Sequence, residues 1–108
     1  MAHPDAVDIA RRYLAALRGH RLPVKNVVLF GSFARGSAQE QSDIDLLVVL
    51  EDALGQAEFD RISTKLWSVA REVDIRIEPL AVSETDWLHD EATPILQLVR
   101  LEGIPAAA

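Results

Sequence analysis

Cysteine is absent, which excludes disulfides and thiolate metal sites. No run of 18 apolar residues occurs, and there is no signal-peptide pattern. No membrane partner is therefore expected, and the expected location is cytoplasmic. His3, His20 and His89 are scattered without zinc-type spacing, and each reads as a surface residue. Basic side chains are outnumbered, 11 Lys and Arg against 17 Asp and Glu, for a net charge of −6. A protein that grips a nucleic-acid backbone usually shows a basic face. The balance here argues against extended, template-bound nucleic acid as a substrate. There are no internal repeats and no sign of a second domain. The chain is expected to form one domain over residues 1–108, with 49% hydrophobic residues to build its core.

The most informative stretch runs from Val27 to Val49 and reads VVLFGSFARGSAQEQSDIDLLVV. An apolar strand leads into Gly31-Ser32, where a glycine can take positive φ and bring backbone close to a ligand. Ser32 is placed to cap a helix starting at Phe33. A helix start with free N–H groups favours phosphate, although an ordinary strand-to-helix turn would look the same. Gly31 and Gly36 have the spacing of a phosphate loop. Ser37 stands where that motif requires lysine, which rules it out.

A polar connector then delivers Asp43-Ile44-Asp45 to a second strand. Side chains alternate along a strand, so the two aspartates share one face about 6.6 Å apart, while Ile44 points into a core. Two carboxylates on one face repel and are costly to bury. A divalent cation would remove that cost, and hard oxygen ligands suit magnesium or manganese. Two solvent-facing aspartates at a strand start are the plain alternative.

The rest of the chain supports a mixture of helices and strands. Apolar residues at helical spacing predict helices over residues 4–18 and 57–71. Tyr13 lies on the first stripe as a core residue, and Trp67 beside the second is read as a packing residue. Strands are expected over residues 25–30, 43–50 and 72–78, the last ended by Pro79. Ser83 and the acids after it mark a short helix to His89. Thr93-Pro94 opens a final helix over 95–102, and residues 104–108 are expected to fray. The final helix has little polar face, so it is either deeply buried or half of an interface.

Gly31-Ser32, ten residues, then Asp43-x-Asp45 resembles the signature of the minimal nucleotidyltransferases of the DNA polymerase β superfamily. The wording GSFARG followed by SDIDLLVV is similar to that family's usual phrasing. The resemblance implies an α/β (α+β) fold, a small mixed β-sheet with flanking helices. It implies transfer of a nucleoside monophosphate from a triphosphate, with ATP as the substrate, to a hydroxyl. It also implies two Mg2+ ions, or Mn2+, held by three carboxylates, the third on a neighbouring strand. Residues 72–78 alternate, with Asp74, Arg76 and Glu78 on one face. Asp74 is expected at the strand start, as Asp43 is, and is assigned as the third acid. Glu78 competes for that role and Glu72 is a weaker candidate; an amphipathic edge strand facing water is the plain reading. The expected catalytic and metal set is thus Asp43, Asp45 and Asp74. The nucleotide set is Gly31, Ser32 and Arg35, with Arg35 either on the triphosphate or paired with an acid such as Glu40.

Short relatives of this kind resemble the antitoxin partner of a helical HEPN-type toxin, to which they attach AMP at a hydroxyl, often a tyrosine. Such a partner is consistent with the over-apolar last helix, which would also suit a homo-oligomer. Two other readings are a transferase for a small hydroxyl compound, as in antibiotic-modifying relatives, and a non-catalytic module of the same fold.

Overall fold

The two central strands are apolar almost without interruption because both faces of their sheet are covered. The computed structural model describes residues 4–107. In chain order the elements are α1 (Pro4–Gly19), β1 (Val24–Phe30), α2 (Ser32–Arg35), β2 (Ile44–Leu50), α3 (Gln56–Val73), β3 (Ile77–Ser83), α4 (Glu84–His89), α5 (Pro94–Glu102) and β4 (Ile104–Pro105). The strands form one sheet in the order β3-β2-β1-β4. β2 runs antiparallel to β1 and parallel to β3, and β4 runs antiparallel to β1. This is the mixed sheet with flanking helices expected from the sequence.

Alternation along the strands feeds two cores. Val27 and Leu29 of β1 and Ile44, Leu46, Val48 and Leu50 of β2 pack with α1 and α3. Val28, Phe30, Leu47 and Val49 face the other way and pack with Leu96 and Val99 of α5. Each such fully buried side chain contributes about 1.5–3 kcal/mol relative to exposure. Tyr13 is buried in the first core, and its hydroxyl donates to the Leu66 carbonyl at 2.7 Å. Burial pushes its phenol far above the ordinary value, so the group stays neutral. No described helix is long and apolar enough to cross a membrane.

Three local expectations are corrected. Of the strand expected over 72–78 only Ile77 and Glu78 are strand: α3 continues to Val73, and Asp74 closes it, its N–H donating to Ala70 O at 2.9 Å. The strand begins at Ile77 and passes through Pro79. Proline is tolerated there because β3 lies at the sheet edge. Trp67 is not packed away but 45% exposed. The segment after α5 is not frayed: β4 pairs with Val28 and Leu29, and Asn26 both donates to the Ala107 carbonyl and accepts from its N–H. Ala108 and His3 lie outside the described residues. Of the other histidines, His89 is exposed and His20 pairs with Glu72 at 3.1 Å.

Candidate active site at the end of β1

β1 ends where the chain turns sharply across the top of β2. Gly31 has φ 77 and ψ −157, a backbone open essentially to glycine alone. A Cβ there would sit 2.3 Å from Asp45 Oδ2. Glycine therefore lets the turn lie directly against a carboxylate. The Gly31 carbonyl accepts from the N–H groups of Ala34 and Arg35, both at 3.1 Å, which starts α2. Gly31, not Ser32, is the N-cap residue, and Ser32 is the first helical residue. Gly36 then adopts the left-handed conformation and ends α2 after four residues. The connector to β2 is held by Gln39 and Ser42, whose backbone and side chain exchange hydrogen bonds at 2.9 and 3.0 Å.

Asp45 is opposite Phe30 across the antiparallel pair and in register with Glu78 across the parallel one. Neighbours in register project from the same face. Asp45 is half-buried, while Asp43 and Glu78 are exposed. Burial raises the Asp45 carboxyl above the usual carboxylate range. The negative charges of Glu78 and Asp43 raise it further, and Arg35 opposes them. Arg35 also forms an ion pair at 3.1 Å, not with Glu40 but with Glu102 at the end of α5. Gly31 N–H donates to the same Glu102 oxygen at 3.3 Å.

Gly31, Ser32, Arg35, Asp43 and Asp45 thus come from one corner of the sheet. Asp74 is engaged elsewhere. It caps α3 and receives the guanidinium of Arg76 on both oxygens, at 3.0 and 2.9 Å. Those hydrogen bonds hold its carboxyl below the ordinary value, with help from Arg12 of α1. Arg76 also donates to the Glu40 carbonyl at 2.8 Å and lies 5.8 Å over the Phe33 ring. The Asp74–Arg76 pair braces the connector from the α1 and α3 side.

Among the described residues no three acidic, imidazole or thiol groups are already gathered around a metal position. The donor set nevertheless fits a hard cation. Magnesium keeps several waters and needs only one or two protein carboxylates when phosphates supply the rest. The raised Asp45 carboxyl marks where positive charge would be stabilising.

The profile of the nucleotidyltransferase domain family matches residues 10–93, a span that contains the turn and all of these acids except Glu102. The chain belongs to the nucleotidyltransferase domain family. Two relatives from Methanocaldococcus jannaschii, provisionally named protein adenylyltransferases, are 40% identical over 53 residues and 34% identical over 59. The alignments cover 48% of this chain and 48% of the first relative, and 55% of this chain and 60% of the second. The chain thus spans about half the length of the curated relatives it matches. Solved structures share the fold. A nucleotidyltransferase-like protein of Sulfolobus solfataricus aligns with a TM-score of 0.62 at 19% identity, over 94% of this chain and 78% of that one. A toxin–antitoxin structure with AMP-PNP aligns at 0.57 and 23%, over 89% and 71%. A complex of a tri-AMPylated Shewanella oneidensis HEPN toxin with its MNT antitoxin aligns at 0.52 and 21%, over 91% and 68%.

Proposed function

We propose that this chain is a metal-dependent nucleotidyltransferase that moves AMP from ATP to a hydroxyl on a partner protein, as the antitoxin of a HEPN-type pair. The observation that carries the reading is the Gly31 turn lying against Asp45, with Asp43 and Glu78 loading negative charge beside it. We assign the third carboxylate to Glu78 in place of Asp74. Glu78 is in register with Asp45, whereas Asp74 is neutralised by Arg76.

In this reading Asp43, Asp45 and Glu78 would hold Mg2+, which would offset phosphate charge and lower the pKa of the attacking hydroxyl. Ser32 and the backbone after Gly31 orient the triphosphate tail. Arg35 supplies paired donors to its oxygens. The acceptor oxygen attacks the α-phosphorus, forming a new O–P bond. The bond from that phosphorus to its bridging oxygen breaks, pyrophosphate leaves, and the hydroxyl proton passes to Glu78. Positioning and charge neutralisation supply most of the acceleration in such chemistry.

The protein acceptor is supported by the side of the sheet on which the acids lie. Leu98 and Leu101 of α5 and Leu88 of α4 are exposed on that side, Leu101 at 87%. These exposed apolar side chains are available to a partner protein. The relatives' names and the toxin–antitoxin structures are consistent with it. ATP labelled at the α-phosphate tests the proposal, incubated with Mg2+ and a co-purified helical partner. Label should appear on the partner and be lost with Asp43→Ala. Bound ATP with no label on any acceptor would reduce the chain to a binding module.

A further inference from the structure

Glu102 lies beyond the family match, which ends at residue 93, yet its carboxylate reaches the glycine turn. One oxygen accepts from Gly31 N–H at 3.3 Å and from Arg35 Nη1 at 3.1 Å. Its placement is rigid. Gly103 N–H donates to Val99 O at 2.7 Å, and a Cβ on Gly103 would meet that carbonyl at 2.4 Å and Val28 Cγ1 at 2.6 Å. The chain then enters β4, where Ile104 pairs with Leu29 and Ala106 N–H donates to Val27 O at 2.7 Å. Glu102 is therefore locked between a helix end and a strand pair, while its partner Arg35 is a long side chain on a four-residue helix.

An acid seated on phosphate-binding donors would compete with phosphate. The backbone phase argues against that here. Strand N–H and C=O groups alternate between neighbours. Val27 directs its carbonyl to the β4 side, and Gly31 is in phase with Val27 and Leu29. Its N–H thus points away from β2, which carries Asp45. Arg35 has five N–H donors, and Glu102 engages only Nη1. The remaining donors stay available to a phosphate.

We infer that Glu102 is a positioning residue for nucleotide: it fixes the Gly31 turn from behind and aims the Arg35 guanidinium at the phosphate tail. The inference rests on the nucleotide-binding reading above. Binding of Mg·ATP and Mg·AMP is measured for the wild type, Glu102→Gln, Glu102→Ala, Arg35→Ala and the Arg35→Ala/Glu102→Ala double variant. Glu102→Ala weakens ATP about tenfold, the effect of losing one charge-assisted contact. AMP, which lacks the tail, changes by less than about twofold, and Glu102→Gln falls between wild type and alanine. On the Arg35→Ala background the second substitution adds little, because both act through one guanidinium. Equal losses for ATP and AMP, a full effect without Arg35, or tighter ATP binding would each overturn the proposal. If Glu102→Ala melts below the assay temperature, Glu102→Gln carries the comparison. Should the wild type bind no ATP at all, the transferase reading fails. The Arg35 Nη1–H resonances then decide the contact on their own, since Nη1 is the nitrogen that meets Glu102. They should be distinct in the wild type, shift part of the way to the free-guanidinium position in Glu102→Gln and reach it in Glu102→Ala; unmoved signals refute it.

Discussion

Gly31→Ala is the sharpest structural perturbation the site offers. Two costs add. The backbone at φ 77 and ψ −157 is strained for any residue with a Cβ, at about 1–3 kcal/mol. The new methyl group would also lie 2.3 Å from Asp45 Oδ2, so the carboxylate must swing away from the turn. Rotating one half-buried side chain off its preferred rotamer adds about 1 kcal/mol. The sum is roughly 2–4 kcal/mol, and each kcal/mol lowers the melting temperature of a domain this size by about 4–8 °C. Circular-dichroism melting should therefore show a fall of more than about 8 °C. Mg·ATP binding, measured well below that melting point, should be lost because Asp45 has moved. Adding Asp45→Ala should recover part of the stability by removing the clash while leaving the φ strain. Gly19→Ala is the control, since nothing lies within 4 Å of its Cβ position; it should be neutral or slightly stabilising. Melting within about 3 °C of wild type, with ATP binding intact, would refute the packing of the turn against Asp45.

Asp45→Asn should stabilise the metal-free protein by up to about 1 kcal/mol near neutral pH. The folded carboxyl is raised, so its charge costs stability, and the gain should fade as pH falls through the folded value. Asp74→Asn should do the reverse. Its carboxyl is depressed by Arg76, so the pair contributes above the ordinary carboxylate range and is lost as pH falls through the depressed value. Denaturant titration at neutral pH should show a loss of about 1 kcal/mol. Tyr13→Phe removes the buried bond to Leu66 O and should cost about 1 kcal/mol with no change in ATP affinity.

What the sequence made legible was local. The Gly31 turn, the Asp43-x-Asp45 pair and the apolar stripes of α1 and α3 are all written within windows of a few residues to a few turns; the stripes fold as read, whereas the turn is capped by Gly31 rather than Ser32 and β2 starts at Ile44, one residue after Asp43. β3 was misplaced because residues 72–78 alternate like a strand while Pro79 looks like its end. The apolar stripe of α3, Ile62, Leu66, Val69 and Ala70, in fact carries on to Val73. The strand also survives its proline because it is an edge. Asp74 and Glu78 both lay in that window, and only the parallel register to β2 separates them. The Glu102 contact closes over 71 residues in sequence, and no spacing rule points to it. β4, two residues long, exists because Asn26 and Val27 offer partners to the chain after α5.

Asp43, Asp45 and Glu78 are proposed to converge on one cation beside the glycine turn. This convergence is tested most directly by the rise in melting temperature that Mg2+ with ATP produces through linkage, compared across Asp45→Asn, Glu78→Gln and Asp74→Asn. The first two should abolish the rise, and Asp74→Asn, though less stable at the outset, should keep it. A rise retained in Glu78→Gln and lost in Asp74→Asn would contradict the convergence.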